Sequence, residues 1–241
     1  MLGMSSLVLD ASQLRHLRAA RPLHFSSSEP EDEKVPETKR HMLMRTALYF
    51  ILHAAFAAKH SIGCEQFVYF NARNPRRCCA PDAFVKLDTP DTPFSTWRVW
   101  ERGAPELVAE ITSPSDKERW TWSQKMERFH ELGAREVVFF DPDAAPGARL
   151  RVWDRLEGDL VEREIDSDVT PCVTLGLWWV VAPLEAFPTA LRLARDREGA
   201  DLLPSADEAR RSADEARRVA ERRVEELEAE LRKTRLGVGN S

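Results

Sequence analysis

The alternation of apolar and polar positions divides the chain into a weakly patterned start, an apolar middle and a charged end. Leu43, Ala47, Phe50, Ile51 and Ala54 recur at helical spacing, which predicts a helix over residues 36–60. Pro36 suits its first turn, and Glu37 there complements the helix dipole. β-type runs follow at 65–70, 83–87 and 106–112, the last two separated by a polar, proline-rich loop. Ser113-Pro114-Ser115 ends the third run and caps a helix predicted over 116–132, which Gly133 stops. Residues 136–140 read as a buried strand closed by Asp141-Pro142, and 150–153 with 159–163 as a hairpin around Glu157-Gly158. Residues 173–181 close the domain. Strand, helix, strand in sequence predicts an α/β class with a mixed β-sheet and a crossover helix.

The flanks differ from the middle. Residues 1–34 are loosely organised: 7–17 offer a short helix, and 26–34 (SSSEPEDEK) have the composition of a linker. The domain is expected over 35–190 and a linker over 191–204, followed by a coiled-coil-type helix over 205–236. In that helix SADEARR at 205–211 is repeated letter for letter at 212–218. Ala206, Ala209, Ala213, Ala216, Ala220, Val224, Leu227 and Leu231 follow three-four spacing with one extra step after Ala220. The alanine half buries little area, and the Val224-Leu227-Leu231 half is the stronger seam. A homo-oligomer, a dimer through the core or the tail, is one expectation; a solvated single helix held by Glu–Arg pairs is the other.

With 241 residues there is room for one domain plus appendages. A net charge of −5 excludes a global electrostatic pull toward nucleic acid, so any such contact needs a local basic patch or metal ions. Cys64, Cys78, Cys79 and Cys172 lack the two spaced pairs of a structural zinc site and read as reduced thiols, which suits a cytoplasmic protein. No basic and then apolar leader opens the chain, and no run approaches the ~20 apolar residues of a membrane span.

The chemistry lies in the strand–loop–strand unit. Asp82 stands at the edge of one predicted strand and Glu110 in an otherwise apolar one, where a carboxylate is costly unless paired or metal-bound. Paired strands lie ~5 Å apart, so the two can share a hard cation such as Mg2+, or Mn2+ in its place. Lys125 lies three residues after Trp122 and four before Phe129, which turns it toward the core or a cleft; Lys117 is second choice. The plainer readings are a salt-bridged Glu110 at a strand end and a snorkelling surface lysine. Arg73, Arg76 and Arg77 in one loop, and Arg98 and Arg102 in another, read first as ordinary surface arginines and otherwise as phosphate contacts. Trp97 and Trp100 read as packing before base stacking. Ser113 and Ser115 are caps, since no histidine–acid pair accompanies them.

Pro81-Asp82-Ala83-Phe84-Val85, then the run from Pro105 through Glu110 to Ser115, then Lys125, Phe129, Gly133, Glu136 and Asp141-Pro142 together resemble the Uma-type restriction endonuclease family, a branch of the PD-(D/E)XK nucleases. The likeness extends from Val35 to Phe187 and includes Gly176-Leu177 and the opening Val35-Pro36-Glu37-Thr38-Lys39-Arg40-His41. It implies a restriction-endonuclease-like core acting on DNA. Asp82 and Glu110 would hold Mg2+, Lys125 would be the catalytic lysine, and Glu37 an auxiliary acid. The archetypal lysine two residues after the glutamate is Thr112 here, and Lys125 on the next helix takes its place. His41 reads first as a packed or surface histidine. The competing reading is a catalytically inactive nuclease fold that serves as an adaptor through its C-terminal helix.

Overall fold

The computed structural model describes residues 15–17, 38–112 and 122–238. Its first unit ends at Leu203 and its second begins at Pro204. In the first unit the strands are β1 (Arg15–Leu17), β2 (Ser61–Gly63), β3 (Val68–Tyr69), β4 (Cys78–Cys79), β5 (Ala83–Lys86), β6 (Trp97–Arg98), β7 (Leu107–Ile111), β8 (Glu136–Phe140), β9 (Leu150–Leu156), β10 (Asp159–Glu164), β11 (Val169–Cys172), β12 (Leu177–Leu184) and β13 (Phe187–Ala194). Its helices are α1 (Lys39–Phe56), α2 (Val99–Arg102) and α3 (Trp122–Leu132).

A mixed seven-stranded sheet runs β1-β10-β9-β8-β7-β5-β2. Its parallel pair is β7 and β8, joined across the segment that carries α3; the other neighbours are antiparallel. The expected α/β class is thus the observed one. Alternation along each strand sorts the core onto two faces. Ala83 and Val85 of β5 and Leu107, Ala109 and Ile111 of β7 pack with Met44, Leu48, Ile51 and Leu52 of α1 and with Trp179, Leu191 and Leu193 of the three-stranded sheet β11-β12-β13. Phe84 and Val108 point the other way, into Met126, Phe129 and Leu132 of α3 and Val68 and Trp97 of the small sheet β4-β3-β6. Gly63 on β2 lies against Phe84 so closely that a Cβ there would run into the ring.

Several boundaries move. α1 starts after Thr38, whose hydroxyl accepts from the His41 N–H at 3.2 Å, so Pro36 and Glu37 fall before it, outside the described residues. Its inward stripe is Met44, Leu48, Ile51 and Leu52, whereas Leu43 and Phe50 are exposed. The helix is apolar nearly all round, so the pattern alone does not choose a face. Arg15–Leu17 pairs with β10 as a strand where a helix was expected. The hairpin β9–β10 turns at Glu157 (φ 52°) and Gly158 (φ 94°), two left-handed residues that give the twist a tight hairpin needs.

The expected linker at 191–204 is corrected. Phe187–Ala194 is a strand paired along β12, and Leu191, Leu193 and Leu203 belong to the core. The Ala-Leu-Arg-Leu-Ala run carries no strong strand propensity; its place comes from pairing with β12 through the turn at Glu185 (φ 52°).

A buried polar network joins the large sheet to β11-β12-β13. Arg163 grips Asp154 through two bonds of 2.6 and 2.9 Å and donates to the Thr170 hydroxyl at 3.1 Å and the Pro171 carbonyl at 2.5 Å. Glu136 accepts from the Thr174 N–H at 2.7 Å and the Trp179 indole at 3.3 Å.

The second unit is α4 (Ala206–Val238). Ser205 and Glu208 form a capping box at its start: Glu208 accepts from the Ser205 N–H at 2.8 Å, and the Ser205 hydroxyl accepts from the Glu208 N–H at 3.2 Å. The same S-A-D-E letters at 212–215 lie inside the helix. No described helix is long and apolar enough to cross a membrane.

Candidate metal centre

Ala83 of β5 faces Ala109 of β7 in the antiparallel register. One step further places Asp82 opposite Glu110. Residues facing each other in this way have Cβ atoms ~4.5–5.5 Å apart on one face of the sheet. Both carboxylates are nearly closed to solvent, at 5% and 6% exposure. Two like charges so near and so dry are unfavourable without compensation.

The compensation comes from two helices. α3 presents Lys125, whose Nζ donates to Glu110 Oε2 at 2.9 Å. α1 presents His41, whose Nε2 lies 3.2 Å from Asp82 Oδ2 and 2.7 Å from the Ile111 carbonyl oxygen. One turn along, the Arg45 guanidinium stands 3.9 Å from Asp82 Oδ1, 3.1 Å from Glu65 Oε2 and 3.3 Å from the Cys64 sulfur. The Ile111 N–H donates to Asp82 Oδ2 at 2.7 Å, which ties the aspartate to β7. Glu65 holds a left-handed backbone (φ 61°), an unusual conformation for a side-chain-bearing residue, and its N–H donates to the Pro81 carbonyl at 2.8 Å.

Burial pushes the Cys79 thiol well above its ordinary value, and the Glu110 carboxylate adds to the rise. Burial also raises Cys64, against the opposing hydrogen bond from Arg45. Both thiols are therefore protonated at neutral pH and are poor ligands there.

Asp82, Glu110 and Lys125 meet at one place. Glu37 and Lys117 lie outside the described residues. His41 joins the site instead of packing or facing solvent. Arg45 and Glu65 were missed, because a basic residue on a helix and an acid at a strand start carry no signal of their own. Trp97 is wholly buried, while Trp100 is 49% exposed. Arg77 is committed to Glu127 and Glu131, Arg98 bonds Glu101, and Arg102 lies over the rings of Phe94 and Trp97.

The donor chemistry fits a hard divalent cation: two buried carboxylates from adjacent strands, with the Arg45 guanidinium 3.9 Å from Asp82 Oδ1. Among the described residues no three Asp, Glu, His or Cys side chains are grouped to hold a metal ion. Mg2+ bound through one or two carboxylates asks for no more.

The two acids thus lie on adjacent strands of a mixed sheet with a helix packed on each face. The family model described as Uma2, "Putative restriction endonuclease", matches residues 30–185, more than half of the chain, and the chain belongs to that family. It is similar in structure to a crystallised "putative nuclease belonging to DUF820" from Anabaena variabilis, with 14% identity and a TM-score of 0.43 over 65% of this chain and 78% of that one. A search of curated proteins returned no match.

Proposed function

We propose that this protein is a Mg2+-dependent endonuclease that hydrolyses phosphodiester bonds of DNA, with Mn2+ able to replace Mg2+. The observation that carries this reading is the facing pair Asp82 and Glu110 with Lys125 bonded to Glu110. Membership of the family supports the nucleic-acid substrate. Asp82 and Glu110 would hold the ion. When bound, a divalent ion supplies an acidified water and neutralises charge on the phosphate. Lys125 fixes the Glu110 carboxylate and brings positive charge to the side where the phosphate oxygens gain charge. His41 and the Ile111 N–H hold Asp82 in place before substrate arrives. Net reaction is addition of one water across a P–O ester bond.

Calorimetric titration of Mg2+ and then Mn2+, with a cleavage-resistant phosphorothioate oligonucleotide present, tests the site. Binding at about millimolar Kd or tighter is expected, and Glu110→Gln is expected to abolish it. Equal binding by the variant would remove Glu110 from the ligand set.

We further infer that α4 assembles copies of the chain. On this 33-residue helix Val224, Leu227 and Leu231 are 54%, 47% and 52% exposed and share one stripe. Truncation after residue 203 is expected to lower the mass measured by light scattering to that of one chain and to leave cleavage in place. An unchanged number of copies would assign assembly elsewhere. A cut after residue 190, where the sequence pattern ends the domain, would remove half of β13. The four cysteines form no disulfide, which fits the cytoplasm, where we place the protein.

A further inference from the structure

The small sheet β4-β3-β6 has two unlike faces. Val68 and Trp97 point inward and are wholly buried. The outward side carries Phe67, which is 53% exposed, then Tyr69 with its ring 6.1 Å from that of Phe67. Arg98 is the in-register neighbour of Tyr69 on β6, and exposed Trp100 follows on α2. Thus the large apolar groups open to solvent here are aromatic: Phe67 where the central strand begins, beside half-buried Tyr69, and Trp100 on the helix that follows β6, with the Arg98 guanidinium between them in sequence.

The chain runs directly from Tyr69 into a loop that is polar and basic: Asn71, Arg73, Asn74 and Arg76 are all exposed. The loop is built. Asn71 Oδ1 accepts from the Arg73 N–H at 2.9 Å and Asn74 Oδ1 from the Arg76 N–H at 3.0 Å, two successive Asx turns. It is also clamped to α3 from both sides. Arg77 donates to Glu131 at 2.9 Å and to Glu127 at 3.0 Å, while Arg128 donates to the carbonyls of Arg76 and Cys78. The clamping residues lie within two turns of Lys125 on the same helix. The loop and its two outward arginines are therefore fixed relative to the candidate metal centre.

We propose that this outer face and its loop form a binding surface for unpaired nucleic acid, with Phe67, Tyr69 and Trp100 stacking bases and Arg73 and Arg76 contacting phosphates. The proposal rests on the nuclease reading and deepens it: the strand held for cutting is single or locally unpaired at this surface. Base stacking on aromatic rings is tolerant of sequence and requires bases whose faces are free, which a duplex does not offer. Arginine supplies the backbone contacts, and the chain's net charge of −5 leaves such attraction to local patches. The exposed basic loop that continues from the rings favours a phosphate-bearing partner over a protein surface.

The test uses the full chain in EDTA and fluorescence anisotropy with a fluorescein-labelled oligothymidylate of about 20 nucleotides, longer than the ~4–16-nucleotide sites of single-strand binders. A duplex of equal length is compared. Single strand is expected to bind more tightly than duplex. Phe67→Ala with Trp100→Ala is expected to weaken single-strand binding by about tenfold or more. Arg73→Gln with Arg76→Gln is expected to lower the salt-dependence slope by about one to one and a half. The positions are exposed, and circular dichroism checks that both variants keep the fold. Duplex bound as well as single strand, no single-strand binding by the unaltered chain, or variants that bind like it would each overturn the proposal. Asp82→Asn, run alongside, is expected to keep this metal-free binding. If Asp82→Asn still cleaves while the aromatic variant loses binding, the surface stands and the metal-site reading fails. If cleavage depends on Asp82 while both surface variants bind normally, the site stands and the surface falls.

Discussion

Asp82→Asn is expected to lower Mg2+-dependent cleavage of DNA by about 100- to 1,000-fold, with little loss of stability. The magnitude follows from the several kcal/mol a metal ion contributes to transition-state charge stabilisation, at about 1.4 kcal/mol per factor of ten. Stability is spared because asparagine keeps an oxygen that accepts from the Ile111 N–H, the bond that ties this side chain to β7. The substitution also removes one of two facing buried carboxylates, which relieves repulsion in the metal-free protein. His41 loses its charged partner, but the Ile111 carbonyl oxygen at 2.7 Å still holds the ring. Activity should therefore fall while the melting temperature stays within a few degrees. The measurement is initial cleavage rate against Mg2+ concentration for the two proteins, beside thermal melts. Equal rates would mean that Asp82 holds nothing the reaction needs. A large drop in melting temperature with the lost rate would make Asp82 a structural residue instead.

Much of the geometry of this candidate centre was legible in the sequence for one physical reason. A carboxylate inside an apolar strand, as in Leu107-Val108-Ala109-Glu110-Ile111, conflicts with local packing preference, and such conflicts gather at functional sites. Asp82 at the mouth of the next apolar strand repeats the conflict, and the register of β5 with β7 sets the two side by side. Lys125 followed from helical spacing on α3. What α1 contributes was not legible. His41 and Arg45 reach Asp82 only because the apolar stripe of α1 docks by Met44, Leu48, Ile51 and Leu52; the neighbouring stripe through Leu43 and Phe50 fits the same sequence. A rotation of the helix by that one position would aim different side chains at β5. The pairing of Arg77 with Glu127 and Glu131 is equally tertiary, since its partners lie 50 and 54 residues away. β13 escaped because its place comes from the facing strand, not from its own residues.

Arg163→Met is expected to destabilise the first unit by about 3–5 kcal/mol, the cost of stranding buried charge. Arg163 is 1% exposed in its side chain, and its departure removes a charged donor from Asp154, Thr170 and the Pro171 carbonyl. The unfolding midpoint should fall by about 10 °C for a unit of this size. Glu136, whose Oε1 lies 3.8 Å from the same guanidinium, gives the loss a pH signature. Burial raises the Glu136 carboxyl above its ordinary 4.5, and Arg163 opposes that rise. A carboxyl raised on folding binds its proton more tightly in the native state. Its contribution is therefore fully present below the unfolded value and is lost as pH climbs through the folded one. Without Arg163 the folded value moves higher still, so the lost stability should grow once pH rises past the native Glu136 value, itself above the ordinary one, and level off once the variant's still higher value is passed. Adding Glu136→Gln removes the titrating group and is expected to flatten that growth while leaving the loss of the Asp154 partner. Urea unfolding of the single and double variants across pH measures both effects. A deficit that does not change with pH would show that Glu136 and Arg163 are electrostatically independent, and that the network holds the two sheets together through Asp154 and the backbone carbonyl alone.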